Sequence, residues 1–290
     1  MPGFLVSLCN VDGKPGLVRF DPATGFAPLG LPILGEPGLG RGMTGIAAFA
    51  GGFAVAPQGI ASHVLLIDAE FGAARLARLP HAADVHGLLA HEDGLLVVSS
   101  GTNQVLRYDA ALRFAGVFGR DDGVLLDRDH LNDIAMLDGR VLVSGFGPRR
   151  PNGLRLGFLR DAMTGETLFD GLNEPHSLTV QDGAACLLDS ATGTLLRLVP
   201  AIGAVREALI LGYARGLHID ASRILIGRSA ARAIGRTTLF NHPARRAATR
   251  QGGQEVTTAG IFVIDRAADS NTFHPLGALG SEIYAIHHLP

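Results

Sequence analysis

Four of the eleven histidines in this chain recur at near-constant spacing: His86, His130, His176 and His218 lie 44, 46 and 42 residues apart. Neutral imidazoles brought together by repeating units make a site for Zn²⁺, Fe²⁺, Mn²⁺ or a similar divalent transition ion, at metal–nitrogen distances of about 2.0–2.2 Å. The spacing therefore predicts metal binding by His86 and His176 with His130 or His218, or by all four. Few carboxylates share the phase, which argues against a calcium cage of oxygen ligands. The alternative is that these histidines hydrogen-bond only water and nearby carbonyls. The remaining histidines fall out of phase and are expected at turns or on the surface.

Other polar residues cluster just ahead of the same apolar runs. Arg41 in RGM and Arg215 in RGL occupy similar places. A guanidinium there can hold a carboxylate or phosphate through two hydrogen bonds, or form an ion pair between structural units. Asp84, Asn132, Asp133, Asn173, Glu174 and Glu282 are candidates to support a metal ligand or move a proton. Tyr284 can supply a proton or a hydrogen bond to an oxyanion, or serve as a buried structural residue.

These residues need a scaffold that repeats. Short runs of aliphatic and β-branched residues are separated by DG, GG or TG turns, as in VHGLLAHEDGLLVVSS (85–100), NDIAMLDGRVLVSG (132–145) and HSLTVQDGAACLLDS (176–190). Fainter copies start at Thr44 and Leu217. A period of about 40–45 residues with about four strands per unit predicts β-propeller blades. Five starts lie between residues 41 and 220, and SEIYAIHHLP (281–290) supplies a single further strand. Its expected partners are the three strands of residues 4–32. Joining them gives a six-bladed all-β propeller over residues 1–290, closed by one C-terminal and three N-terminal strands. One interval, His218 to Tyr284, spans 66 positions, and its surplus is an Arg-rich insertion within blade five, residues 228–256.

In a propeller the innermost strands line a central channel. Aligning them on a small-then-apolar step (TGI, HGL, NDI, HSL, YAI) predicts a ring of Thr44, His86, Asn132, His176, either Leu217 or His218, and Tyr284. His130, two residues before Asn132, is expected one step nearer the channel mouth.

Composition bounds the partners. Hydrophobic residues make up 47% and charged residues 18%, enough for a large core, so disorder is not expected. A net charge of −2 without a polybasic run gives no reason to expect nucleic acid or an anionic membrane as partner. No apolar stretch approaches the roughly 18 residues that span a bilayer. The N-terminal MPGFLVSLCNVDG lacks a basic region and a cleavage site, so the cytoplasm is the expected compartment. Cys9 and Cys186 sit in apolar runs and are expected as buried thiols.

The segments HLNDIAMLDGRVLVSG, NEPHSLTVQDGAACLLDS, ARGLHI, ILIGRS, AGIFVID and SEIYAIHHLP follow, in order, the landmarks of a bacterial family called domain of unknown function 4915. The chain resembles that family over roughly residues 85–290. The family's first landmark is His-x-Asn-Gly, and here Asp133 stands in place of the Gly. Its PHS and RGL elements fall on Pro175–Ser177 and Arg215–Leu217, whereas His218 is not part of the pattern. The resemblance implies a propeller and no activity. PHSL (175–178) is also similar to an element in the lyase domain of peptide-amidating enzymes. That domain is a six-bladed propeller holding zinc through three channel histidines beside a Tyr and an Arg.

The expected function is a metal-dependent lyase, hydrolase or isomerase acting on a small polar or anionic metabolite. Arg215 and Arg41 orient the anion with Asn132, and Asp133, Glu282 or Tyr284 moves the proton. Iron-dependent oxygen chemistry on four histidines is a variant. The rival from another class is a non-catalytic propeller that binds a peptide, glycan or protein.

Overall fold

The computed structural model describes residues 3–11, 16–36, 39–59, 62–121, 123, 126–150, 155–199, 203–230, 250–251, 254–255 and 257–289. The apolar runs form six four-stranded antiparallel sheets. Their innermost strands are Met43–Phe49, Val85–His91, Leu131–Leu137, Pro175–Gln181, Tyr213–Ile219 and Ile283–His288, for blades one to six. Three hairpins between the first and second strands turn on residue pairs with positive φ: Ala50–Gly51, Asp138–Gly139 and Asp182–Gly183. Two left-handed residues match the twist of the flanking strands, which is why Gly recurs in these turns.

Each sheet is apolar on both faces because each is packed between two others. In the second strand of blade two, Leu95 and Val97 join the core shared with blade one, and Leu96 and Val98 join the core shared with blade three. In blade four, Leu187 faces blade three while Cys186 and Leu188 face blade five. Cores also fill the interfaces between blades five and six and between blades six and one. The ring of blades is a six-bladed β-propeller. In the sixth sheet the strand Ile283–His288 pairs antiparallel with Phe4–Leu8, followed by Leu17–Asp21 and Gly25–Pro28.

Of the stretch 228–256, residues 228–230 and a short pairing of Arg250–Gln251 with Gln254–Glu255 are among the described residues. The rest of that insertion lies outside them. No helix among the described residues is long and apolar enough to cross a membrane.

Every innermost strand slips register near its start. The shift falls between Met43 and Ile46, Val85 and Leu88, Leu131 and Ile134, His176 and Thr179, and Ala214 and Leu217, and beside Tyr284 in blade six. A bulge takes a residue out of the ladder and re-aims its side chain. The shift takes Thr44, His86, Asn132, Arg215 and Tyr284 out of the ladder, whereas in blade four His176 keeps its pairing with Leu188 and the shift follows it.

Candidate functional site

Five ring positions sit at the register shifts and the sixth, His176, immediately before its own: Thr44, His86, Asn132, His176, Arg215 and Tyr284. All six are buried. For blade five the sequence left Leu217 or His218, and the structure corrects both to Arg215. RGL carries the same small-then-apolar step as HGL, so the alignment rule itself selects Arg215 when applied to that segment. Leu217 packs in the core between blades four and five. His218 stacks on His288 with centroids 5.4 Å apart, meets the Phe4 ring at 5.1 Å and faces Asp220 at 3.5 Å. His288 is four residues along the strand from Tyr284, about 13 Å in extended chain. His218 therefore stands apart from the other three histidines of the predicted set.

Three successive blades hold their ring side chains in the same way. His86 Nδ1 lies 3.0 Å from the Asp84 carbonyl, Asn132 Nδ2 donates to the His130 carbonyl at 3.1 Å, and His176 Nδ1 lies 2.9 Å from the Glu174 carbonyl. In each case the carbonyl belongs to the residue two positions earlier. Asp84, His130 and Glu174 all have left-handed φ (50°, 47° and 54°), which turns that carbonyl back toward the ring. Such a conformation is uncommon outside glycine and marks a locally constrained backbone.

A carbonyl can only accept, so Nδ1 carries the proton in both histidines and Nε2 carries the lone pair. Ser100 and Ser190 reinforce this tautomer, with hydroxyls 3.0 Å and 2.9 Å from Nδ1 of His86 and His176. The Ser100 hydroxyl donates to the Leu131 carbonyl, which leaves its oxygen to accept from His86. Sequence reasoning missed both serines. Each stands 14 residues after its histidine, at the end of the second strand, and that repeated offset is a signal the sequence contains.

His130 sits outside the ring, its centroid 5.1 Å from that of His86, and its Nδ1 is 2.9 Å from Asp127 Oδ2. Phe146 lies between His130 and His176, with centroids 4.8 Å and 5.1 Å away. Tyr284 faces both ring histidines, at 5.8 Å from His86 and 5.9 Å from His176. Arg215 packs over the Tyr213 ring at 4.8 Å and the Tyr284 ring at 5.7 Å. Its Nη1 donates to Glu282 Oε2 at 3.1 Å, and the same oxygen accepts from Asn10 Nδ2 at 3.0 Å. Glu282 is thus the counter-ion of Arg215. Arg41 is exposed, three residues ahead of Thr44, and does not share the ring position of Arg215. Asn173 is bound to Asp189, and Glu174 accepts from the Tyr213 hydroxyl at 2.7 Å.

Burial sets the ionisation of the site. It lowers the His86 pKa, with Asp84 partly opposing, and lowers that of His176 well below the usual imidazole value, helped by the nearby Arg215 charge. Both are neutral at neutral pH. Asp133, one residue past Asn132, is pushed up to about 7 by burial although Ile134 and Leu178 N–H groups hydrogen-bond to it. Burial and the neighbouring Asp133 raise Tyr284 well above the ordinary phenol value.

Three ring residues each keep a buried polar atom with no hydrogen-bond partner among the described residues: Asn132 Oδ1, Arg215 Nε and Tyr284 OH. Buried polar groups are nearly always satisfied; His91 Nδ1, Ser144 Oγ, His218 Nε2 and Arg223 Nε share this state with the three ring atoms. Each imidazole has one nitrogen committed to a partner and the other turned away from it. No group of three His, Cys, Asp or Glu side chains that could hold a metal ion occurs among the described residues.

Comparison with known structures gives the fold alone. A nidogen/laminin complex matches with a TM-score of 0.66 and 11% identity, covering 100% of this chain and 99% of that one. A protein of unknown function from Bacteroides caccae matches at 0.61 and 14%, with the same coverage. A catalytically inactive His-to-Ala variant of virginiamycin B lyase from Staphylococcus aureus, with quinupristin, matches at 0.56 and 9%, covering 98% and 88%. No curated protein matches it in sequence. The model of the domain of unknown function (DUF4915) matches residues 68–290, and with more than half the chain covered, this propeller belongs to that family.

Proposed function

We propose that the propeller is an enzyme whose channel mouth binds a small anionic metabolite and transforms it as a metal-dependent lyase, hydrolase or isomerase. One observation carries the reading: His86 and His176 are neutral, fixed with Nδ1 protonated, and set in one ring with Arg215 and Tyr284. His86, His176 and His130 would hold a divalent Zn, Fe or Mn ion, which when bound polarises a substrate oxygen or acidifies water. Arg215 anchors the anionic group. Asp133, titrating at about 7, is suited to take or return a proton at neutral pH. Tyr284 supplies a neutral O–H donor. Glu282 serves as a positioning residue through Arg215, and Arg41 and Asn132 contribute at the rim and in the ring. A propeller of the same fold is named as a lyase whose His-to-Ala variant is inactive. That likeness raises a histidine-dependent lyase among the options by analogy of fold.

The four-histidine oxygen chemistry needs His218 in the ring, where Arg215 stands instead, and it is set aside. A non-catalytic propeller that binds a peptide, glycan or protein is the second reading. It is favoured by the lack of a ready three-ligand group among the described residues. Elemental analysis of protein prepared without chelators separates the two. The enzyme reading expects about one transition ion per chain, falling well below that in His86→Ala and His176→Ala with the fold retained. Wild-type protein that binds no metal, even after reconstitution, overturns it.

A further inference from the structure

We propose that the hollow at the lower ends of blades one and two, away from the ring, binds a small organic cation: an ammonium group on an aromatic or aliphatic body. The inference goes beyond the reading given above for the ring and does not depend on it.

Ala48 and Ala90 each stand four residues beyond a ring position, about 13 Å along extended chain. They lie two positions after Ile46 and Leu88. Two positions after the matching Ile134, Leu178 and Leu217, blades three to five carry Met136, Val180 and Ile219. The turn after Phe49 adds Ala50 and Gly51, again with almost no side chain. Two neighbouring blades thus omit bulk that the others place here, and the space they leave is a cavity of about 750 Å³. Small-molecule sites typically occupy about 300–1,000 Å³. The hollow is accessible, since Ala48, Ala50 and Ala90 are exposed and Phe49 and His287 are half-buried.

Charge and aromaticity choose the ligand. Glu92 and Asp93 carry the only formal charges among the described lining residues, and both are exposed. Neither side chain has an ion pair or hydrogen bond among the described residues. The corresponding turns of blades three and four make do with one carboxylate each, Asp138 and Asp182, so the second exceeds what the turn conformation requires. Arg19 is turned away over Phe71, which stacks on Phe53 behind this wall. Phe49 and His287 supply aromatic surface, and His287 meets Phe53 edge to face at 5.6 Å. Burial, with His218 and His288 nearby, pushes the His287 pKa down to about 4, so the imidazole adds no positive charge at neutral pH. An ammonium group is drawn both to the carboxylates and to the aromatic faces, whereas an anion meets two unopposed negative charges.

The test is ligand-observed NMR titration of the full chain with phenethylammonium, neutral phenethyl alcohol and hydrocinnamate, which have similar bodies and differ in charge. The ammonium is expected to bind saturably and roughly tenfold or more tighter than either of the others. Glu92→Gln combined with Asp93→Asn is expected to bring it down to the affinity of the alcohol. Ala90→Met, which copies Met136 of blade three, is expected to weaken ammonium and alcohol alike by roughly tenfold or more. If Ala90→Met fails to fold, the double variant, on exposed turn residues, carries the test. Alcohol or hydrocinnamate binding as tightly as the ammonium, no saturable binding, or unchanged affinity in either folded variant overturns the proposal. A concentration-dependent dimer that Ala90→Met dissociates would assign the hollow to a second copy of the chain, and overturns it as well.

Discussion

At the scale of single residues, the site combines groups whose pKa values move in opposite directions for the same cause. Burial raises Asp133 to about 7, so between about pH 4 and 7 the folded chain keeps a proton that the unfolded chain releases. Through that window Asp133 lowers stability as pH rises. Burial lowers His86 and His176, so the unfolded chain takes up protons that the folded chain refuses, and their contribution is lost as pH falls below about 6.5. Asp133→Asn removes one slope and keeps the other. Its stability relative to wild type, from urea denaturation at several pH values, is expected to rise steadily between pH 4 and 7. A constant difference would mean that the Asp133 carboxyl does not titrate abnormally. Glu282 gives a second test. Glu282→Ala leaves Arg215 buried without its counter-ion, which costs about 3–5 kcal/mol for a pair of this kind. Glu282→Gln, which keeps an acceptor beside Nη1, is expected to cost less in the same denaturation experiment.

At the scale of elements, the innermost strands approach one another so closely that the residue after the ring position must be small. A Cβ on Gly45 would lie 2.1 Å from the His86 carbonyl oxygen, a backbone atom of the next blade. Gly87 abuts the Asp133 backbone at 2.9 Å in the same way. Where the residue is larger, its side chain bonds to the next blade: Ser177 Oγ accepts the Gly216 N–H at 2.8 Å. Gly45→Ala is therefore expected to push blade one away from the His86 strand. We expect a loss of at least about 2 kcal/mol by thermal or urea unfolding, in the range reserved for core overpacking. A neutral result would mean that the inner strands are looser than this packing implies. The same contacts explain why the small-then-apolar step is visible in the sequence at all: it is the footprint of strand-to-strand contact at the axis.

For the whole molecule, stability is a closed circuit of six interblade cores, and the C-terminal segment 283–289 belongs to two of them besides pairing with Phe4–Leu8. Ile283 and Ile286 pack against blade five, and Leu289, just beyond the strand, packs with blade one. Removing residues 281–290 also takes away Tyr284 and Glu282, and with them the support of Arg215. The truncated chain is expected to be insoluble or to lose cooperative unfolding, since an edge, a channel wall and two cores are lost together. Native melting behaviour after truncation would contradict the pairing of the terminal strands.

The sequence by itself determined the repeat, the blade count and five of the six ring residues outright. Alternating apolar runs and Gly turns report local backbone preference and burial, which are written residue by residue. It also carried the step that identifies Arg215, but the periodic histidines drew attention to His218, three positions further on. Only the tertiary structure separated these two. A β-bulge decides which residue leaves the ladder, and its position depends on pairing with the second strand and on contact with the next blade. The roles of Ser100, Ser190 and Glu282 were decided at the same level. Each acts through atoms that meet only after the blades have closed, at sequence separations of 14 to 67 residues. Spacing placed the imidazoles in phase, and folding decided which nitrogen each one kept for bonding.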